Sequence, residues 1–160
     1  MNTLLVVATI AAIVGSALIG GVFFAFSSFI MKALERMPSS EGILAMQTIN
    51  ITVLNPGFLG AFMGTALIGL LLAIVAIVGW ESAYSPYLLG GAVAYIGGTW
   101  FVTVLGNVPL NDKLAAVSPD DPESTKVWEH YLERWTRLNT QRAGAALLAA
   151  VLFSIGLVYA

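Results

Sequence analysis

The chain has 160 residues, of which 58% are hydrophobic and only 10% are charged. A soluble domain usually carries about 25% charged residues, so this composition excludes a water-soluble globular protein. The absence of Cys excludes disulfides and thiolate metal sites, and the net charge of -2 argues against nucleic acid as a partner.

Uncharged apolar runs divide the chain into four parts, at residues 4–31, 42–80, 86–111 and 143–160. A bilayer core about 30 Å thick takes roughly 20 helical residues, so each run can hold one crossing. The first run is too long for a signal peptide and has no positive charge before Lys32. The sequence therefore predicts an all-α integral membrane four-helix bundle, a single domain over residues 1–160. Its helices are expected at about 4–31, 55–80, 86–107 and 126–160.

The second run is longer than one crossing needs, and polar residues mark its beginning. Asn50, Asn55 and Pro56 indicate a segment that leads into the second helix. Small residues then recur every four positions, at Gly60 and Gly64 and at 90, 94 and 98. This spacing lets helix backbones approach closely in lipid, and it predicts packing inside the bundle, with contacts between subunits as the alternative.

The third helix carries a polar stripe. Trp100, Thr103, Asn107 and Asn111 recur at intervals of three or four residues, which places them on one face. Pro109 lies between the two Asn residues and predicts a kink or an end of the helix there.

A long polar segment separates the third and fourth helices. Residues 118–125 read SPDDPEST and are rich in turn formers. From Lys126 the pattern is helical, with Ser124 or Thr125 expected to cap its start and the membrane part expected from about residue 139. This predicts an extended fourth helix.

One face of this extension is aromatic and polar, and the other is solvated. An arc of about 80° on a helical projection holds five side chains, those of Trp128, Tyr131, Trp135, Asn139 and Arg142. The opposite side holds Glu129, His130, Glu133, Arg134, Arg137 and Gln141.

Two interpretations of the arc stay open. Trp128 and Tyr131 have the side chains of an anchor at the lipid headgroups. Asn139 and Arg142 fit an anchor less well, because they continue the face towards the membrane core, where an ionisable group indicates a functional site. The amides and Arg142 either hold the helices together or line a pocket for an oriented polar ligand, at the membrane boundary beside Asn107.

Other sites find little support. His130 is the only histidine and lies on the charged face, so neither a bis-His haem nor a di-iron site is expected, and no metal site is predicted. Asp112, next to Asn111 at the expected end of a helix, is predicted to be a surface or cap residue.

Orientation follows from the positive charge. With four crossings, all seven Lys and Arg residues fall on the side that holds the regions 32–46 and 107–142. The positive-inside rule makes that side cytoplasmic. We therefore expect a multi-pass protein of the bacterial inner membrane with both termini outside the cytoplasm.

Three blocks of the sequence resemble a known family. They are INITVLNPGF at 49–58, NVPLND at 107–112 and WEHYLERWTRLNTQR at 128–142. Together they resemble the anthrone oxygenase-like family of small integral membrane proteins, over nearly the whole chain. The resemblance implies a four-helix membrane fold. For the characterised fungal relatives it implies oxidation of a polyketide anthrone to an anthraquinone, without metal, flavin or other cofactor.

The resemblance and the polar stripes together give the candidate site. The expected catalytic residues are Asn107, Asn139, Arg142 and Tyr131. The expected substrate-binding residues are Trp100, Thr103, Asn111, Trp128, Trp135, Asn50 and Asn55.

These residues suggest a mechanism for an anthrone-like or quinol-like substrate. Trp128 and Trp135 would stack on its rings, while Arg142, with Asn107 and Asn139, would bind a developing oxyanion. A base is missing, because Tyr131 is poorly matched to that task.

The main alternative is a non-enzymatic membrane protein that binds a lipid, a quinone or a partner subunit. Homo-oligomerisation is left open. A channel or transporter has less support, because neither an ion path nor an inverted repeat is visible. Access to Asn107 and Arg142 distinguishes the first two functions: an open aromatic cavity supports a ligand, and tight mutual pairing supports a structural role.

Overall fold

A computed structural model of the chain describes residues 1–80 and 82–159. These residues form five helices without a strand: α1 (Thr3–Glu35), α2 (Ser39–Thr52), α3 (Pro56–Val78), α4 (Ser85–Ala115) and α5 (Ser124–Val158). All except α2 are long and apolar enough to cross a membrane. The predicted all-α fold class and four-helix membrane bundle are confirmed, and the chain is a multi-pass integral membrane protein.

Helix α4 differs from its predicted form, because it continues to Ala115 and does not end at Pro109. Two π-helical segments, Ala94–Phe101 and Thr103–Asn107, precede the proline. Pro109 lies in the first turn of the α-helical segment that follows. A proline is tolerated in a first turn, where the N–H that it lacks is not needed. Helix α1 likewise runs beyond residue 31 to Glu35.

Side-chain caps set the start of two membrane helices. The Asn2 amide oxygen accepts a hydrogen bond from the Leu5 N–H at 2.9 Å, and the Asn55 amide oxygen accepts one from the Phe58 N–H at 3.0 Å. Asn residues are favoured at this position because they satisfy a free backbone donor. The predicted cap of α5 is wrong: Ser124 is the first residue of that helix, and its hydroxyl donates to the Ser118 carbonyl at 2.7 Å.

Helix α2 was predicted only as a segment leading into the membrane. Ile43 and Met46 are buried in a core shared with α5, and Gly42 lies directly against the Trp128 ring. The Gln47 side chain donates to two carbonyls at the end of α4, those of Leu114 and Val117, at 2.8 and 3.0 Å. These contacts hold α2 across the end of the bundle.

The buried side chains form two clusters. One lies among the apolar parts of the helices and includes Phe23, Phe62 and Phe153. The other lies under α2 and includes Met46 and Trp135. Helix α3 packs against residues 85–101 of α4 and diverges from residues 103–115. A gap between α3 and α4 therefore opens beside the junction of the two clusters.

The small residues have two different roles. A Cβ atom at Gly98 would lie 2.5 Å from Ala145 on α5, so the predicted close packing is confirmed there. At Gly60 and Gly64 the prediction of internal packing is wrong, since no described atom outside their own helical surroundings lies within 4 Å of an added Cβ. Helix α3 packs through the face that contains Phe62, and these two glycines lie off that face.

Candidate functional site

A cavity of about 600 Å³ lies at the junction of the two cores, with residues from all five helices in its wall. Six aromatic side chains line it: Phe23, Phe26, Phe58, Phe62, Trp100 and Trp135. Among the described residues its polar lining consists of Gln47, Asn50, Thr103, Asn111, Asp112 and Arg142. The volume is typical of small-molecule sites, and so is a mostly apolar wall with a few polar groups.

The cavity opens to the outer surface of the helix bundle where α3 and α4 diverge. Leu59 and Met63 on α3, with Val104 and Val108 on α4, line the cavity and are 36–48% exposed. We call these four residues the aliphatic rim. The indole N–H of Trp100 donates to the Met63 sulfur at 3.3 Å and joins the two helices beside this opening.

Arg142 is the cation of the cavity wall. Its side chain is 5% exposed. The guanidinium carbon lies 3.9 Å from the centroid of the Phe23 ring and 5.0 Å from that of Trp135. Contacts with aromatic faces stabilise a cation and fix the plane of the guanidinium.

Only part of the donor capacity of Arg142 is used. Nε and one terminal nitrogen donate to the Asn139 amide oxygen at 3.1 and 2.9 Å. The other terminal nitrogen donates to the Thr103 hydroxyl at 3.2 Å. Two of the five N–H groups are left over. Across residues 1–80 and 82–159, no carboxylate forms a salt bridge with this guanidinium.

Asn139 binds the Arg142 guanidinium from outside the cavity. It is fully buried, and its amide nitrogen donates to the Phe23 carbonyl and to the Ser27 hydroxyl, each at 2.6 Å. Its amide oxygen accepts both bonds from Arg142. This side chain therefore connects α1 to α5 and orients the cation, and it does not line the cavity.

A second polar network holds Trp135. The Asn111 amide oxygen accepts from the Tyr131 hydroxyl at 2.8 Å and from the Trp135 indole N–H at 2.9 Å. The Asn50 amide donates to the same hydroxyl at 3.4 Å. The rings of Trp128, Tyr131 and Trp135 stack in sequence, with centroids 5.7 and 5.9 Å apart. The aromatic face of α5 thus forms a fixed column, of which Trp135 reaches the cavity.

The sequence-predicted site residues fall into three groups. Six line the cavity: Asn50, Trp100, Thr103, Asn111, Trp135 and Arg142. Four are buried behind its wall: Asn107, Trp128, Tyr131 and Asn139. Asn55 is outside it and caps α3.

The buried group changes the expected roles. The Trp128 ring is enclosed between Gly42 and Tyr131 and does not line the cavity, so its stacking on a ligand stays a prediction. The Asn107 amide nitrogen donates to the Trp135 carbonyl at 3.3 Å, and its oxygen has no partner within the described part of the chain. Neither Asn107 nor Asn139 lines the cavity, and both amides support its wall from behind. Their contact with an oxyanion stays a prediction.

Several wall residues were not predicted. Phe58 and Phe62 are one helical turn apart on α3, and their rings stack with centroids 6.0 Å apart. Their interval of four residues in the sequence could have indicated that they share one face of the helix. Phe23 and Phe26 come from α1, which has an apolar residue at nearly every position and therefore gave no signal. Asp112 is exposed, as predicted, but it also lines the cavity. His130 is exposed and lies outside the cavity.

No group of three His, Cys, Asp or Glu side chains in the described ranges could hold a metal ion. A family model described as anthrone oxygenase matches residues 58–152. That range contains α4, nearly all of α3 and most of α5, up to residue 152, and so it contains Asn111, Asp112, Trp135 and Arg142. No curated protein and no solved structure matches the chain.

Proposed function

Because this chain belongs to the anthrone oxygenase family, we propose that it is a membrane oxygenase that transfers oxygen to a hydrophobic aromatic substrate without a cofactor. The substrate class is a flat anthrone-like or quinol-like molecule bound in the aromatic cavity. One observation carries the proposal: Arg142 is a buried cation that lines a cavity of aromatic rings. No carboxylate among the described residues forms a salt bridge with it.

A buried charge is costly unless it is paired. The Asn139 oxygen and the Thr103 hydroxyl are neutral acceptors, so they reduce this cost without neutralising the cation. An anionic ligand would supply the missing charge and accept the two remaining N–H groups. An enolate formed from an anthrone is such an anion, and its negative charge lies on an oxygen.

The chemistry requires little beyond this site. Loss of a proton from the ring CH₂ of an anthrone leaves an electron pair shared between that carbon and the carbonyl oxygen, which Arg142 would stabilise. The electron-rich carbon then reduces molecular oxygen and forms a C–O bond, which gives a hydroperoxide after protonation. Loss of water from the hydroperoxide gives the quinone. One substrate and one O₂ are consumed, and one quinone and one water are formed.

The wall residues support this reaction by position. The rings of Phe23 and Trp135 contact the guanidinium and fix its position. The cation therefore does not have to reorganise as charge develops on the substrate. The aromatic rings would surround the bound ring system and reduce the contact of a reactive carbanion with water.

A second function has support from a separate feature. The aliphatic rim opens the cavity towards lipid, which also suits a protein that binds a lipid, a quinone or a partner subunit without turnover. In that case Arg142 would bind the polar end of the bound molecule.

The cellular setting is also a proposal. We place the protein in the bacterial inner membrane as a single domain, with both termini outside the cytoplasm. All seven Lys and Arg residues lie in the regions that this orientation makes cytoplasmic, which supports it.

The test is oxygen consumption by detergent-purified, metal-stripped protein supplied with a simple anthrone. We expect a rate above spontaneous oxidation, formation of anthraquinone, and loss of the rate in Arg142→Ala and Arg142→Lys. Arg137→Ala, on the exposed face of α5, is the matched control. If wild-type protein gives no rate above background, the oxygenase proposal fails. Quenching of tryptophan fluorescence by the same anthrone or a quinone would then favour the binding function.

A further inference from the structure

The cavity contains a carboxylate that the reaction described above leaves unassigned. Of the cavity-lining residues that the structure describes, Asp112 is the one with an acidic side chain. Its backbone carbonyl accepts from the Ala116 N–H at 3.2 Å. Its carboxylate makes no hydrogen bond to a backbone or side-chain group and no salt bridge in ranges 1–80 and 82–159, so it does not cap the helix.

The position of Asp112 follows from the face of α4 that lines the cavity. Val104, Val108, Asp112 and Ala115 all line it, and they recur at intervals of three and four residues. Asp112 is thus the one charged residue in an otherwise apolar stripe that begins at the aliphatic rim and ends at Ala115. Arg142 lines the same cavity, and the two charges do not form a salt bridge with each other. Asp112 and Arg142 therefore line one cavity without a direct contact between the carboxylate and the guanidinium.

Other candidate bases are excluded by their positions or by their chemistry. Tyr131 is behind the wall, and its hydroxyl proton is already donated to Asn111. His130 is outside the cavity. The remaining polar side chains of the wall are amides, a hydroxyl and the guanidinium, none of which is a base of useful strength.

We infer that Asp112 removes the proton from the ring CH₂ of the substrate while Arg142 binds the carbonyl oxygen; this inference rests on the proposed function. In this step the C–H bond breaks and an O–H bond forms on the Asp112 carboxylate. The electron pair moves into the ring system as an enolate, held against the guanidinium. After O₂ has added to the carbon, protonated Asp112 returns its proton to the peroxide. Loss of water then completes the reaction without any further oxidant.

The proton step can be measured apart from the oxygen step. With oxygen excluded, full-length protein in detergent micelles in D₂O should catalyse exchange of deuterium into the CH₂ of a simple anthrone, followed by NMR. General bases contribute about 10²- to 10⁴-fold to such steps. We expect Asp112→Asn to lower the exchange rate by at least about tenfold, with a similar fall in kcat under oxygen. KM should stay nearly constant, and Asp112→Glu should restore part of both rates.

Two controls keep the result specific. Asp120→Asn removes an exposed carboxylate that does not line the cavity and should leave both rates unchanged. Asp112 is itself exposed, so Asp112→Asn should melt at the wild-type temperature. If that variant does not fold, Asp112→Ser serves for the same comparison.

Each outcome decides the inference. Wild-type rates of exchange and turnover in the folded Asp112→Asn variant would mean that Asp112 is only a solvated residue at the membrane boundary, and the inference would fail while the oxygenase proposal stands. Exchange by the wild type that depends on Asp112, without oxygen consumption, would support the inference and overturn the oxygenase proposal. Absence of wild-type exchange above the buffer rate would overturn the assignment of Asp112.

Discussion

Asn139 and Arg142, one turn apart on α5, are joined by two hydrogen bonds from the guanidinium to a single amide oxygen, at 3.1 and 2.9 Å. The same amide donates to the backbone of α1 through the Phe23 carbonyl. The arginine is therefore held by a residue that is itself fixed to a neighbouring helix. Its orientation in the cavity depends on the packing of α1 against α5.

Asn139→Ala should damage both stability and activity. It leaves a buried guanidinium without its main acceptor and removes two hydrogen bonds from α5 to α1, at a cost of about 2 to 3 kcal/mol. We expect a lower melting temperature in detergent, and at temperatures where the variant is folded, turnover at least about tenfold below wild type because the cation is no longer oriented. Gln141→Ala, on the exposed face, should change neither quantity. A normal rate in Asn139→Ala would show that Arg142 is oriented by its aromatic contacts alone.

Asn111 and Trp135 should be energetically coupled. Asn111→Leu removes the acceptor of two donors, the Tyr131 hydroxyl and the Trp135 indole N–H, and each unsatisfied buried donor costs about 1 to 3 kcal/mol. In Trp135→Phe that indole donor is already absent, so Asn111→Leu should cost less in this background. A double-mutant cycle of melting temperatures in detergent measures the difference. Strictly additive effects would contradict the shared role of the Asn111 oxygen.

Gly42 should not tolerate a methyl group. A Cβ atom there would lie 2.8 Å from the Trp128 ring, which is buried and has little room to move. Overpacking of this kind typically costs about 1 to 3 kcal/mol, so Gly42→Ala should lower the melting temperature in detergent. Gly60→Ala is the matched control, because an added Cβ there meets no described atom within 4 Å. Equal melting temperatures for the two variants would mean that α2 does not pack on Trp128.

The proposed orientation can be tested with single cysteines, since the chain contains none. A membrane-impermeant maleimide added to intact bacterial cells should label Ser82→Cys, in the turn between α3 and α4, and should not label Asp120→Cys, in the segment between α4 and α5. Both should be labelled after the membrane is permeabilised. The reverse pattern in intact cells would place the termini in the cytoplasm.

The sequence predicted the framework because the relevant signals are local. Long uncharged runs identify membrane helices, and the spacing from Trp128 to Arg142 identified a face of α5 that is buried throughout. The same spacing could not show which residues on that face would meet a cavity. Asn139 and Arg142 lie on one arc, yet one binds to α1 and the other lines the cavity, because this depends on how closely α1 approaches.

Other features depended on residues distant in sequence. Helix α2 lies partly within an uncharged run, and its position follows from the bonds of Gln47 to the end of α4. Asp112 was expected at a helix end, but α4 continues past Pro109 and carries the carboxylate along the cavity wall. The Gly60 and Gly64 pair shows the reverse case, in which a familiar spacing predicted packing that the described residues do not provide.

The aliphatic rim has a consequence for how the protein would meet its ligand. Leu59, Met63, Val104 and Val108 are exposed on membrane-spanning helices, so we expect a molecule that passes between them to be supplied from the bilayer. Its effective concentration is then its mole fraction in the lipid. For a fixed amount of protein and anthrone in vesicles, added lipid should slow turnover by surface dilution, whereas added buffer should not. Turnover rates of this protein can therefore be compared only at the same lipid composition and the same lipid-to-protein ratio.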